Sequence, residues 1–334
     1  MIKKFLEDNN VPAYRLNQFN KHFYDEYVDS FDQITTWSKD LREKLKQAIP
    51  FSTLVKEKSL VSEKKDVIKV LFSLQADSQK KIETVLMKHK DGRNTVCVSC
   101  MVGCPVACSF CATGKMGFHG NLTAREIVDQ VLYFQRLLKK DKQKVSNIVF
   151  MGMGEPLLNL KNVQEAIDIF TDPKKMGFSS RRITVSTSGY VPQLKQLIED
   201  GYRGRLAVSL HAPNQELREE LMPVAKVYPL HQLMEILDDF TKLTNKRISY
   251  EYTLIEEVND LQSHAKQLIK LLKGRLAHVN LIPINPIQGS KFQRPSKNRI
   301  FKFASFLKQA KIPYTIRITM GEDIKAACGQ LSGK

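Results

Sequence analysis

The sequence lacks a hydrophobic run long enough to cross a bilayer. Its first residues, MIKKFLED, become polar before the apolar region of a signal peptide could form. Internal repeats and low-complexity segments are absent as well. These absences argue against membrane, secreted and repeat proteins, and we expect a globular cytoplasmic protein with no membrane partner.

Acidic residues are scarce, because 35 Asp and Glu stand against 52 Lys and Arg, which leaves a net charge of +17. The excess is spread along the chain rather than concentrated in one tail. The positive electrostatic potential of such a chain favours a polyanionic partner, with RNA or DNA as the first candidate. A basic protein can also use its charge only to stay soluble, and charge alone does not separate the two interpretations.

Cysteines are almost missing outside one short stretch. Of the six cysteines, five fall between Cys97 and Cys111, and Cys328 is alone near the other end. This crowding does not suit an ordinary disulfide framework. In a reducing compartment it indicates metal binding or thiol chemistry.

A chain of 334 residues with 42% apolar side chains predicts one main body and a smaller accessory unit. Residues 1 to about 60 are predicted to form short helices, since Trp37, Leu41, Leu45 and Ile49 recur at four-residue spacing. We divide the chain into a helical domain (1–62) that would bind RNA, a β linker (63–95) and a core (96–334).

Strands and helices alternate through the core. Thr123 to Glu126 is a capping box that starts a helix. Alternation of this kind predicts an α/β fold with a parallel sheet, either open or curled into a full or partial barrel, with chemistry at the carboxyl ends of the strands. Strands are predicted at residues 67–72, 83–87, 95–99, 147–151, 183–186, 206–210, 248–254, 278–284 and 314–318.

Cys104, Cys108 and Cys111 place three thiols within eight residues, so that one loop could hold a single inorganic centre. Three thiolates suit a cubane iron-sulfur cluster that keeps one iron free to bind a ligand. A closed site with Cys97 or Cys100 as fourth ligand would instead give structural zinc or a plain electron-transfer cluster. Spacing alone does not choose between these sites.

The Cys-x3-Cys-x2-Cys pattern closely resembles the signature of the radical S-adenosylmethionine enzymes. The resemblance implies a partial (βα)6 barrel of the TIM type with one [4Fe-4S] cluster on those three cysteines. It also implies that the open iron chelates S-adenosylmethionine, whose reductive cleavage gives a radical. An electron donor such as flavodoxin or ferredoxin would then be required.

Further motifs resemble, in type and order, the RNA adenine methyltransferases of the dual-specificity RlmN type and their relative Cfr. They are Cys97-Val98-Ser99, Gly152 to Asn159, Ser186 to Gly189, Ser209-Leu210-His211, Asn285-Pro286 and Ala327 to Leu331. The resemblance implies methylation of C2 of an adenosine in the peptidyl-transferase centre of 23S rRNA, and in some bacteria of a tRNA adenosine beside the anticodon. The alternatives are a Cfr-like enzyme that modifies C8 and a noncatalytic RNA-binding protein with a zinc-cysteine module.

The same resemblance assigns cofactor contacts. Glycines near position 154 would let the backbone approach a ligand, and the Glu155 carboxylate could accept hydrogen bonds from a cationic amine, here the cofactor's ammonium group. Without the motif context, each of the assigned residues would be read as a satisfied polar or packing residue. The residues assigned to the cofactor are Gly154, Glu155, Ser186, Ser209, Leu210, His211 and Asn285.

The resemblance also gives three catalytic roles. Cys328 would take a methyl group from one cofactor molecule, and a second molecule would activate that methyl for addition to adenine, so that each turnover uses two. Cys97 would resolve the protein-RNA link through a transient disulfide with Cys328, and Glu83 would accept a proton. Cys100 stands where the family usually has serine. For the oligomeric state, we expect a monomer.

Overall fold

A mixed sheet of ten strands forms the centre of the computed structural model, which describes residues 2–334. Its strands are β1 (Leu54–Val61), β2 (Val67–Leu74), β3 (Asp77–Lys88), β4 (Asn94–Cys97), β7 (Asn147–Phe150), β8 (Ile183–Thr187), β9 (Arg205–Ser209), β10 (Ile248–Leu254), β11 (Ala277–Pro283) and β12 (Tyr314–Ile316). A separate hairpin pairs β5 (Met101–Gly103) with β6 (Phe118–Asn121).

The sheet changes character at β4. Strands β1 to β4 pair antiparallel, whereas β4, β7, β8, β9, β10, β11 and β12 follow one another in parallel. The strand order ends at β1 on one side and β12 on the other, so the described sheet stays open. The partial barrel is therefore confirmed, with β12 as a short addition to the six expected parallel strands.

The α-helices comprise three that precede the sheet, a short one inside the β5–β6 connection, and others that connect successive parallel strands. They are α1 (Ile2–Asp8), α2 (Tyr14–Asn20), α3 (Lys39–Ala48), α4 (Ala112–Lys115), α5 (Ala124–Lys139), α6 (Leu160–Thr171), α7 (Val191–Glu199), α8 (Gln215–Leu221), α9 (Val224–Val227), α10 (Leu230–Thr244), α11 (Gln262–Leu272) and α12 (Lys297–Gln309). The Thr123 capping box is present at the start of α5, as predicted. No helix in the described part of the chain combines the length and apolar character that crossing a bilayer requires.

The amino-terminal helices pack as a module against α5. Phe19 and Phe23 stack with ring centroids 5.0 Å apart, and Trp37 lies beside them in the same core. The Arg125 guanidinium lies 4.6 Å from the centre of the Phe23 ring. Asp129 of α5 also accepts hydrogen bonds from the backbone N–H and the hydroxyl of Thr53, both at 2.8 Å. The module is thus fixed to the first crossover helix of the barrel.

The prediction of helices up to about residue 60 is wrong at residues 54–61, which form β1. This segment has no apolar alternation because most of it is exposed at the sheet edge. Pairing with the buried strand β2 determines its structure, and tertiary context of this kind overrides local propensity.

Candidate active site

The carboxyl ends of the parallel strands surround a cavity of about 940 Å³, its open mouth included. The cavity is lined by four cysteines and by polar side chains from the ends of β8 to β11. The lining includes Cys104, Cys108, Cys111, Gly154, Glu155, Ser186, Ser188, Ser209, His211, Asn285 and Cys328.

The cysteine loop is held by the β5–β6 hairpin. Gly103 has φ +73°, and a Cβ built there would lie 1.9 Å from the Gly117 carbonyl oxygen. Only glycine lets the two strands approach so closely. The Cys104 N–H donates to the same Gly117 oxygen at 2.8 Å. Hairpin geometry therefore directs the chain into the loop at Cys104.

Cys104, Cys108 and Cys111 form one electrostatic group. Burial raises the pKa of Cys104 to about 12 and that of Cys108 well above its usual value, and the neighbouring thiols add to both shifts. The Cys104 and Cys108 thiols therefore hold their protons until a metal replaces them. Cys100 lies in the hydrophobic core and does not line the cavity.

The donor set fits the cluster that the family implies. Three thiols from one loop open onto a cavity that continues past them to hydroxyls and a carboxylate. In residues 2–334, no three His, Cys, Asp or Glu side chains converge to hold a single metal ion. A cubane needs no such convergence, because each thiolate binds a different iron.

Glu155 is buried at the cavity wall, and burial raises the pKa of its carboxyl group. Its Oε2 accepts hydrogen bonds from the Ser188 N–H and hydroxyl, both at 2.7 Å, and its Oε1 accepts one from the Leu157 N–H at 3.1 Å. A carboxylate has about four acceptor positions. Glu155 can therefore still receive a cationic amine, as predicted for this residue.

The nearby glycines have a packing role beside the predicted approach to a ligand, which stays a prediction. A Cβ at Gly152 would lie 2.6 Å from the Val98 carbonyl oxygen, and one at Gly154 would lie 2.6 Å from the Met101 Cβ. The space opposite each Cα is thus filled by the preceding strand segment. Both glycines line the cavity, but protein packing requires them here.

His211 faces the cavity from the end of β9. Its ring lies edge-on to Phe110 with centroids 4.9 Å apart, and its Nδ1 accepts the Thr253 N–H at 3.0 Å. Burial, with a smaller effect of the Arg218 charge, lowers the pKa of His211 to about 3. The imidazole is therefore neutral and acts as a hydrogen-bonded wall.

The other predicted cofactor contacts separate into two groups. Ser186, Ser209 and Asn285 line the cavity. Leu210 does not, because its side chain is fully buried in the main core. Asn285 also donates from Nδ2 to the Cys328 carbonyl oxygen at 3.1 Å, which ties the isolated cysteine to the cavity wall.

Cys328 is exposed at the cavity, whereas Cys97 is buried at the end of β4. All six cysteines are free thiols, so no disulfide joins this pair in the structure. Burial raises the pKa of Cys97 to about 12, and the nearby Cys328 charge contributes. Arg317 lies among Cys328, Cys97 and Glu251, and its pKa is raised chiefly by the Cys328 charge.

Glu83, the predicted proton acceptor, does not line the cavity. It is fully buried, with Oε1 2.6 Å from the Lys69 ammonium. Its Oε2 accepts the backbone N–H groups of Ser332 and Gly333 at 2.6 and 3.0 Å. Both oxygens of Glu83 are thus engaged by the protein.

A second cavity, of about 1640 Å³ with its open mouth, lies at the amino ends of the strands. Its exposed rim is cationic, and Glu251 is the single carboxylate of its lining. The rim carries Arg93, Arg181, Arg205, Lys246 and Arg247. Met151, Glu251 and Arg317 line both cavities, so these three side chains form the layer between the two ends of the barrel.

Sequence reasoning missed Glu251 and Arg317. Each is a charged residue within an apolar strand pattern, Ile248 to Leu254 and Tyr314 to Ile318. Strands buried on both faces, such as β10 around Glu251, normally read as continuous apolar runs. A charge interrupting such a run was the available signal.

Comparisons with known proteins agree with this site. A family model described as "Radical SAM superfamily" matches residues 98–272, and one described as "Ribosomal RNA large subunit methyltransferase N-terminal domain" matches residues 1–50. The first covers the segment that holds the three cluster cysteines. The second covers the amino-terminal helical module.

Full-length relatives share both parts. "Dual-specificity RNA methyltransferase RlmN" of Campylobacter lari is 44% identical over 98% of this chain and 95% of its own length. "Probable dual-specificity RNA methyltransferase RlmN" of Thermoanaerobacter sp. (strain X514) is 43% identical over 100% of this chain and 95% of its own length. The crystal structure of a radical SAM methyltransferase from Sphaerobacter thermophilus has TM-score 0.96 at 42% identity, covering 100% of this chain and 97% of that one.

Proposed function

The chain belongs to the RlmN-type RNA methyltransferases of the radical SAM superfamily, and on that premise we propose that it methylates C2 of an adenosine in 23S rRNA. A tRNA adenosine beside the anticodon is the second substrate we propose, and the cytoplasm is the place of action. One observation carries the proposal: a single cavity brings Cys328 together with the three cluster cysteines.

Cys104, Cys108 and Cys111 would hold the [4Fe-4S] cluster, and Glu155, Ser186, Ser209 and Asn285 would bind S-adenosylmethionine. When bound, this pair supplies the methyl group and the radical chemistry that moves it to an adenine carbon. Glu155 receives the ammonium group, and the neutral His211 closes the wall. Each of these side chains lines the cavity.

Cys328 accepts the methyl group at Sγ and carries it to the base. Its exposure at the cavity supports this role. Cys97 stays protonated at neutral pH because burial raises its pKa to about 12. In the resolving step the Cys97 Sγ would bond to the Cys328 Sγ as the bond from that sulfur to the RNA-linked carbon breaks, and the Cys97 thiol hydrogen would complete the methyl group of the departing base.

RNA approaches from the amino ends of the strands. The rim of that cavity is exposed and cationic, and burial together with the charges of Arg203 and Arg181 lowers the pKa of Lys246. Positive groups crowded in this way attract phosphates and should make binding salt-dependent. An adenosine splayed from its stack could then reach the layer below Cys328.

Glu251 in that layer suits an adenine. Its Oε1 accepts Asn280 Nδ2 at 2.8 Å, while its buried Oε2 finds no hydrogen-bond donor among residues 2–334. The Arg317 Nη1 is 3.7 Å from Oε2. A free acceptor at this depth can receive the exocyclic amine of the base.

The decisive experiment incubates reconstituted protein, reductant and S-adenosylmethionine with rRNA fragments and tRNA, followed by nucleoside mass analysis. We expect 2-methyladenosine from both RNAs. 8-Methyladenosine would assign the Cfr-like activity instead. A protein that retains zinc but neither iron nor sulfide after anaerobic reconstitution would overturn the radical mechanism.

A further inference from the structure

Cys328 lies in a stretch that is held at both ends by one buried ion pair. The Lys69 ammonium lies 2.6 Å from Glu83 Oε1 and donates to the Lys325 carbonyl oxygen at 3.2 Å. Glu83 Oε2 accepts the N–H groups of Ser332 and Gly333. These contacts fix the chain three residues before Cys328 and four residues after it.

The pair is far from Cys328 in sequence but adjacent to its segment in space. Lys69 is on β2, and Glu83 is on β3, where Leu71 pairs with Glu83 in the antiparallel register. The side chains of Lys69 and Glu83 are 8% and 0% exposed. Burying two charges is costly unless their partners are placed well, and here the carboxyl-terminal backbone supplies those partners.

The middle of the segment is joined to the cluster loop. The Ala112 N–H donates to the Gly329 carbonyl oxygen at 2.8 Å, and the Thr113 hydroxyl donates to the Leu331 carbonyl oxygen at 2.7 Å. Ala112 directly follows the cluster ligand Cys111. The segment is therefore located both by the ion pair and by the cysteine loop.

We infer that Lys69 and Glu83 are positioning residues that hold residues 325–333, here called the Cys328 segment, so that the Cys328 sulfur faces the cavity. This inference rests on the proposed function, in which Cys328 carries the methyl group. It gives Glu83 the role of holding this backbone segment, in agreement with the hydrogen bonds that Glu83 accepts. It also adds Lys69, a residue with no assigned role.

Hydrogen exchange of the reconstituted full-length holoprotein tests the inference directly, because the Ser332 and Gly333 amides are the groups bound by Glu83. In Lys69→Met we expect the Cys328 segment to exchange about tenfold faster, while peptides from β9 to β11 keep their wild-type rates. Lys69→Arg, which retains the charge, should restore protection. Lys58→Met removes an exposed lysine from the neighbouring strand β1 and should change nothing.

A second readout separates positioning from folding. In Lys69→Met the methylated RNA formed per cleaved S-adenosylmethionine should fall about tenfold, with the KM for RNA within twofold of wild type. Lys69→Arg should recover most of that coupling. A structural defect alone would lower cofactor cleavage and product together.

The single variant leaves the Glu83 charge unpaired and could fail to fold for that reason. In that case the double variant Lys69→Met/Glu83→Gln replaces both charged side chains by neutral ones of similar size. Faster exchange confined to the Cys328 segment in this double variant supports the inference. Wild-type exchange of the segment in a folded variant overturns it. Absence of methylated RNA from the wild-type protein would instead refute the proposed function, and the exchange comparison would still decide the role of the pair.

Discussion

The two ends of the barrel differ in the side chains they present. The carboxyl end carries thiols, hydroxyls and a hydrogen-bonded carboxylate around a cavity of about 940 Å³. The amino end carries exposed arginines around about 1640 Å³. One end is thus built for chemistry on a small cofactor and the other for attraction of a large anion, and the Met151–Glu251–Arg317 layer lies between them.

The variant with the largest expected effect removes the methyl-transfer chemistry at the carboxyl end and leaves RNA binding at the amino end intact. Cys328→Ala should lower RNA methylation by at least about 1000-fold, because the methyl-accepting sulfur is lost. It should leave reductive cofactor cleavage and the Kd for RNA within twofold. Cys100→Ala is the matched control, since Cys100 does not line the cavity. Retained methylation in Cys328→Ala would contradict the carrier role.

The difference in burial between Cys97 and Cys328 offers a second test. At pH 8 a thiol with a pKa of about 12, such as Cys97, is thiolate in only about one molecule in ten thousand. Cys328 is exposed. Iodoacetamide should therefore label Cys328 about 100-fold faster than Cys97, as measured by peptide mass spectrometry. Equal labelling rates would mean that Cys97 is as accessible as Cys328, which would contradict its burial.

Removing positive charge at the amino end should weaken RNA binding and leave cofactor cleavage unchanged, which is the reverse of the Cys328→Ala result. Arg205→Gln/Arg247→Gln should weaken RNA binding about tenfold at roughly 0.1 M salt and reduce the salt slope by about one to two. Cofactor cleavage without RNA should not change. Lys266→Gln/Lys270→Gln on α11 removes the same charge from another exposed surface. If that control weakens binding equally, the rim is not the RNA site.

The smallest effect concerns acid stability. Burial lowers the pKa of His211 to about 3, below the value near 6.5 of an unfolded chain. As the pH falls below about 6.5, the unfolded chain binds the proton first and the free energy of unfolding decreases. His211→Gln should reduce the loss between pH 7 and 5 by about 2 kcal/mol. His278→Gln, at the half-buried amino end, should reduce it less, and chemical denaturation at each pH measures both.

The sequence predicted the parts of the fold that depend on local pattern. The buried strands β7 to β11 and the capped helix α5 were visible because their apolar spacing is regular. Strand β1 was not, since its side chains are mostly exposed and only pairing with β2 makes it a strand.

At the site, the motifs located side chains that line one cavity: Cys104, Cys108, Cys111, Glu155, Ser186, Ser209, His211, Asn285 and Cys328. They could not reveal that Leu210 lies in the core or that both oxygens of Glu83 are already engaged. The second of these facts depends on contacts between segments about 250 residues apart, such as Glu83 with Gly333. No spacing rule reports such contacts.

The return of the carboxyl-terminal segment to β2 and β3 has a consequence for biosynthesis. Ribosomes deliver Lys69 and Glu83 long before Lys325, Ser332 and Gly333, and nascent domains fold from the amino terminus onward. The early hairpin must therefore wait for a segment translated about 250 residues later before its buried charges gain all their partners. A chain released before this segment would lack both these contacts and Cys328, so under the proposed function we expect it to be inactive.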